Sequence, residues 1–312
     1  MDVDDCYMKV KLIISVLFLL SAIASAIGNS LVLILVWRFK TLRNKTTILI
    51  INLAIADLGI SVFGFPMSAS SNFAHGWQMG QVGCQWYGFT GMLFGIGNIG
   101  LLTAISLDRY LLTCRHSVFL QLSVYHYIFL VLIVWGNALF WAMTPLLGWC
   151  RYALDPSGTA CMVTWTDDTR MYTSYVMSVF VSSFLIPSVI IVFCYVNTWR
   201  FIRSVGDGGR QENVEWTHEK QVAKMCAIAV SLFLLAWTPY AVVCIWAAIG
   251  NPRTIPPLLL VAPTVFAKSS ACYNPVLYAL VNKRFRLAMR KLVGLGKTRR
   301  DKEEMRLHHF EG

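Results

Sequence analysis

Charge is what this sequence has least of. Only 14% of its 312 residues are Asp, Glu, Lys or Arg, while 56% are hydrophobic. A soluble domain carries roughly a quarter charged residues, so a water-exposed globule is excluded and the bilayer is the expected solvent. The nine cysteines include no CxxC pair, which removes the usual zinc and iron–sulfur arrangements, and no metal site is expected. Internal repeats and low-complexity tracts are missing too, so residues 1–312 are expected to form one membrane domain without a soluble appendage. No cleavable leader is expected, because the first apolar stretch is too long, and too polar at Ser25-Ala26-Ile27-Gly28-Asn29, for a signal peptide.

What is there is a series of apolar runs. A membrane helix needs about 20 mostly apolar residues, and such runs fall at roughly 12–37, 47–72, 81–113, 124–147, 172–201, 221–248 and 256–281. The expectation is an all-α bundle of seven transmembrane helices. Beyond it, Asn282 to Leu292 sets Phe285, Met289 and Leu292 on one face and cations on the other, which reads as a short amphipathic helix over about 283–293 lying on the membrane surface.

Lys and Arg are shared unequally between the connecting loops. Arg38, Lys40, Arg43, Lys45, Arg109, Arg115, Arg200, Arg203, Lys220, Lys224 and the segment from Lys283 onward fall on one side; Lys9, Lys11, Arg151, Arg170 and Arg253 fall on the other. By the positive-inside rule the N-terminus is extracellular and the C-terminus cytoplasmic in a cell-membrane protein. The net charge of +11 is then a juxtamembrane signal toward anionic lipid and a cytosolic partner, with no nucleic-acid partner expected. Cys84 opens the third run and Cys161 lies in the long outer loop, so a disulfide tying loop to helix is the economical pairing. Cys6 and Cys150 are either a second bridge or two unpaired thiols.

Several polar residues sit at membrane depth, where each is costly enough to suggest a role. Asn29, Asp57, Asn98 and Asn274 stay buried only by satisfying one another or ordered water, and are expected to form one network in the core. The plainer alternative is polar packing with no switching role. At the inner end of the third run stands Asp108-Arg109-Tyr110, and at that of the sixth stands Glu219. An arginine fixed by the adjacent aspartate and by a glutamate on another helix would latch the two helices together.

These pieces together resemble the rhodopsin-like class of G-protein-coupled receptors over nearly the whole chain. Trp135, Pro187, Tyr195, Ala236-Trp237-Thr238-Pro239-Tyr240 and Asn274-Pro275-Val276-Leu277-Tyr278 fall where that family's pattern places them. The resemblance implies an outward swing of the sixth helix on activation, with Arg109, Tyr195 and Tyr278 rearranging to admit a heterotrimeric G protein, and arrestin as a further partner.

Lys268 narrows the class. A lysine in mid-membrane costs roughly 2.5–3.5 kcal/mol on insertion scales, and an amine in an apolar pocket is a nucleophile toward a carbonyl, forming an imine. Phe266-Ala267-Lys268-Ser269-Ser270 resembles the opsins, whose seventh-helix lysine binds retinaldehyde covalently, as the 11-cis or all-trans isomer. The resemblance implies a carboxylate counterion that keeps the imine protonated. Vertebrate visual opsins carry it three residues after the third-helix cysteine, where this chain has neutral Tyr87, so Asp155, six residues before Cys161, is the candidate. A solvated loop aspartate is the alternative. Gly91 and Gly95 open a groove on the face expected to look at the seventh helix. Tyr87, Met92, Phe180, Phe184, Phe233, Trp237, Tyr240 and Thr264 stand at positions that line retinal in related opsins.

Asp155-Pro156-Ser157-Gly158-Thr159, the segment Gly250 to Pro257 and Ala267-Lys268-Ser269-Ser270 are most similar to the peropsin and neuropsin group of non-visual opsins. The reading is a light-activated receptor rather than an enzyme. Two others stay open: a retinal photoisomerase with little signalling, and a receptor for a soluble ligand in which Lys268 pairs with an anionic agonist.

Overall fold

The computed structural model describes residues 3–155, 158–163, 169–207, 214–250 and 254–294, with side chains left undescribed at 3–11, 169, 205–207, 214–219 and a few positions between 257 and 281. Six helical segments are long and apolar enough to cross a bilayer: Leu12–Arg38, Thr47–Phe73, Gly80–Cys114, Val124–Leu147, Arg170–Ser204 and Lys220–Ile249. They belong to α1 (Val3–Arg38); α2 (Thr47–Gly59) running through a π turn into α3 (Phe65–Phe73); α4 (Gly80–Cys114); α6 (Val124–Met143); α7 (Thr169–Phe180) running through a second π turn into α8 (Ile186–Asp207); and α9 (Val214–Ile249). A short α5 (His116–Gln121) joins α4 to α6.

The expected seventh run, 256–281, is not one helix. It divides into α10 (Pro257–Ser269), a 3-10 turn Ser270–Cys272 and α11 (Tyr273–Val281). Pro275 lies in the first turn of α11, where its missing N–H and fixed φ are tolerated, and the tighter turn precedes it. α12 (Lys283–Leu292) follows, its start capped by the Asn282 side chain accepting from the N–H groups of Arg284 and Phe285. Phe285 and Ala288 are its buried residues, whereas Leu292 is exposed.

α4 is the central element, packing along α2, α6 and α8. Its length leaves it buried on several sides, so Leu101, Leu102, Ala104 and Ile105 join Leu49, Leu53 and Val230 in one large apolar core. On the other elements many large apolar residues point outward, among them Ile27, Trp37, Phe129, Leu132 and Leu235. That inversion is the surface a bilayer solvates. A two-stranded hairpin, β1 (Tyr152–Leu154) and β2 (Cys161–Val163), pairs antiparallel with Ala153 opposite Met162 and closes one end of the bundle.

Candidate functional site

The hairpin is tied to the bundle by a Cys84–Cys161 disulfide. It also lies directly on α4 because Gly88 offers no side chain: a Cβ there would meet the Tyr152 ring at 2.3 Å. Tyr152 donates to the carbonyl of Ala142 at 2.9 Å, and burial pushes its phenol well above the ordinary range. The side chain of Cys6 lies outside the described residues, so its pairing with Cys150 is not addressed.

Beneath the hairpin is a cavity of about 130 Å³ lined by Gly91, Met92, Gly95, Phe180, Phe184, Phe233, Trp237 and Tyr240 together with Met162, Tyr172, Val176 and Cys244. One water needs about 10–15 Å³, so this apolar space has room for a ligand. The Gly91 and Gly95 groove faces α7, the π turn after it and α9, not the seventh crossing as expected. A Cβ at Gly95 would come within 2.9 Å of Trp237, whereas one at Gly91 would meet nothing within 4 Å. Helix sidedness decides this: glycine spacing in a sequence marks a stripe but not the neighbour it meets. Trp237 stacks on Phe233 at 5.5 Å and meets Tyr240 edge-on at 6.0 Å.

Of the residues at positions that line retinal in related opsins, Tyr87 and Thr264 are not on the wall of this cavity. Tyr87 is instead the partner of Lys268. The Lys268 amine donates to the Tyr87 hydroxyl and, at 3.0 Å, to Ser68 Oγ; Ser68 and Tyr87 are themselves 2.6 Å apart. Rings of Tyr87 and Phe18 flank the amine at 4.3 and 5.5 Å. Lys268 thus points toward α1, α3 and α4, beside the cavity rather than into it. Tyr87 and Gly91 are one turn apart on α4, about 6 Å along the axis, so the same helix carries the amine's partner and part of the cavity wall. Asp155 is buried, but the contacts resolved for its carboxylate belong to its own turn, the N–H groups of Thr159 and Ala160 at 3.3 Å each. It makes no ion pair with Lys268 here. Ser68 and Phe18 were not singled out in the sequence, because a serine and a phenylalanine in apolar helices carry no pattern of their own.

Below the cavity, Asp57 accepts from Asn98 at 3.0 Å and from Asn274 at 2.9 Å. Asn29 does not reach it directly. It donates to Ser25 and to the Ala271 carbonyl, and Ser61 lies 2.6 Å from Ser25 Oγ and 2.7 Å from the Asp57 carbonyl. The Oδ1 atoms of Asn29 and Asn98 are buried without a partner, as a network completed by water would leave them. At the far end, Asp108 is paired with Arg109, and Tyr110 packs on Phe193. Tyr195 is half-buried in this region with its hydroxyl oxygen buried, and Tyr278 stacks on Phe285 at 5.3 Å. The Glu219 side chain, the other half of the expected latch, lies outside the described residues.

The family described as "7 transmembrane receptor (rhodopsin family)" matches residues 28–278. The visual pigment-like receptor peropsin of Homo sapiens is 39% identical over 279 residues, covering 89% of this chain and 83% of that protein. The chain is an opsin. Opsin-5 of Mus musculus is 37% identical over 296 residues, covering 92% of the chain and 77% of the relative. The crystal structure of squid rhodopsin superposes with a TM-score of 0.85 at 28% identity, covering 96% of this chain and 91% of the other. As an opsin it is a multi-pass membrane receptor of the G-protein-coupled class on the non-visual side of the family, and membership implies a retinal chromophore and coupling to G proteins. The observations that fit such a chromophore are an apolar cavity that a Cβ at Gly91 would enter, aromatic walls, and an amine beside them.

Proposed function

We propose that this opsin senses light through retinaldehyde held as an imine on Lys268, and passes the signal to a G protein at the Arg109 end of the bundle. The observation that carries the reading is one half-buried amine set among hydroxyls and rings, near an apolar cavity large enough for a ligand. Retinal supplies light absorption and a change of shape on isomerisation. The chain's own residues do the rest. Tyr87 and Ser68 orient the amine, while Gly91 and Gly95 leave room along α4 and Trp237 stands at the cavity wall. The hairpin covers one end and excludes water. Tyr87 is the polar group already on the amine, and Asp155 is the nearby acid proposed to balance a protonated imine after a local rearrangement. The loop charges favour an extracellular N-terminus, a cytoplasmic Arg109 end against the inner leaflet, and arrestin as a further partner there.

Reconstitution with 11-cis and with all-trans retinal, followed by borohydride reduction and peptide mapping, tests this. An adduct at Lys268 and a light-sensitive band in the visible or near ultraviolet are expected. No band with either isomer, or an adduct elsewhere, overturns the reading. Adding G protein separates signalling from photoisomerisation alone, since an isomerase would convert retinal under light without driving nucleotide exchange.

A further inference from the structure

A buried carboxylate at the Arg109 end is held from a helix to which the sequence assigned no switching role. Asp108 is buried, and each of its oxygens is engaged. Arg109 donates to Oδ2 through Nε at 2.9 Å and again through Nη2. Thr46, just before α2, lies 3.1 Å from both oxygens and also accepts from Arg109 Nη2 at 3.1 Å. Tyr127, on α6, donates its phenol O–H to Oδ1.

We propose that Tyr127 is a positioning residue for the receptor's resting state. With Thr46 it fixes the rotation of the Asp108 carboxylate, so that Oδ2 stays turned toward Arg109 and the arginine is kept from leaving.

The physical argument is one of donors. A buried carboxylate oxygen needs a partner. Without the Tyr127 hydroxyl, the donors left near Oδ1 among the described residues are Thr46 and Arg109 themselves, so the carboxylate turns and the aligned Arg109 pair is lost. Tyr127 is itself held rigidly: it sits in the first turn of α6, which begins with a capping box between Ser123 and His126. The destination of a freed arginine is also present. Tyr195 Oη is buried with no hydrogen-bond partner among the described residues.

The proposal rests on the receptor reading but not on the chromophore. The test therefore uses the full chain in lipid nanodiscs in the dark, both free of retinal and loaded with it. Wild type, Y127F, T46V, D108N and Y127F/D108N are compared for nucleotide exchange over a panel of G proteins. Amide exchange across Asp108–Gln121 is followed by mass spectrometry as a readout that needs no G protein. Y127F keeps the ring and its packing, and is expected to raise dark nucleotide exchange about fivefold or more and to speed amide exchange in that segment. Its melting temperature and, once loaded, its absorption spectrum should stay at wild-type values. In the D108N background the same substitution should add nothing. Dark exchange and amide exchange at wild-type rates in Y127F, or full additivity with D108N, overturn the proposal. A failure of the photoreceptor reading looks different, since wild type would then lack a light response while the dark effect of Y127F remained.

Discussion

The indole Nε1 of Trp237 donates to the hydroxyl of Ser270 at 3.1 Å. This joins a cavity-lining residue of the sixth crossing to the 3-10 turn that interrupts the seventh, two residues beyond Lys268 and four before Asn274, which itself bonds Asp57. The cavity and the polar core are therefore linked by consecutive contacts rather than by proximity alone. If Trp237 moves on illumination, the turn at Ser270–Cys272 is the first element to lose a partner.

Ser270→Ala removes that link together with the hydroxyl's own donation to the Ala267 carbonyl within its turn. The loss of the contact between the two crossings, about 1 kcal/mol, is expected to shift the resting equilibrium about fivefold toward the active form. Dark nucleotide exchange measures it, and a variant as quiet as wild type would mean that the contact is incidental to switching.

Lys268→Ala is expected to abolish covalent chromophore attachment without unfolding the bundle, because the hydroxyls of Ser68 and Tyr87 satisfy each other at 2.6 Å. The check is an absorption spectrum after retinal incubation together with a melting curve. A variant that still retains retinal after denaturation would move the attachment site elsewhere.

Tyr87→Phe and Asp155→Asn separate the neutral group that the amine meets from the acid proposed as its counterion. The Asp155 substitution is expected to deprotonate the imine and move the dark band into the ultraviolet, whereas Tyr87→Phe removes a neutral partner and is expected to shift the band by a smaller amount. Spectra of both pigments decide the matter. An unchanged visible band in Asp155→Asn places the counterion on another residue.

Gly91→Phe fills open space, since a Cβ at this position meets nothing within 4 Å. Gly95→Ala, by contrast, drives a methyl to within 2.9 Å of Trp237. The first is expected to block retinal uptake with the fold intact; the second is expected to displace Trp237 and raise dark activity. Titration with retinal and dark nucleotide exchange report on the two separately, and normal uptake in Gly91→Phe would remove α4 from the chromophore wall.

Cys84→Ser opens the tie between α4 and the hairpin. Losses of about 2–5 kcal/mol accompany removal of such bridges. A fall in thermal stability, with faster release of retinal, is the expected result, and a variant as stable as wild type would leave the hairpin held by Tyr152 packing alone.

What the amino-acid order determined on its own was everything that follows from composition and one-dimensional spacing. Apolar runs of bilayer length dictate the crossings, because an unpaired backbone is intolerable in lipid. Charge bias dictates the proposed orientation, a cysteine opening the third run and another in the long outer loop point to the disulfide, and a lysine stranded between apolar neighbours marks a site of chemistry. Tertiary structure alone decided which neighbours those residues meet. It turned the Gly91 and Gly95 stripe toward the fifth and sixth crossings. It set the Lys268 amine on Tyr87 and Ser68, and the Asp155 carboxylate on its own loop. It brought Tyr127, on α6, and Thr46, just before α2, onto Asp108. The reason is geometric: a helix's sequence specifies its faces, but which face opposes which is settled by the packing of all the helices at once, and hydrogen bonds between residues dozens to hundreds of positions apart leave no trace in local spacing.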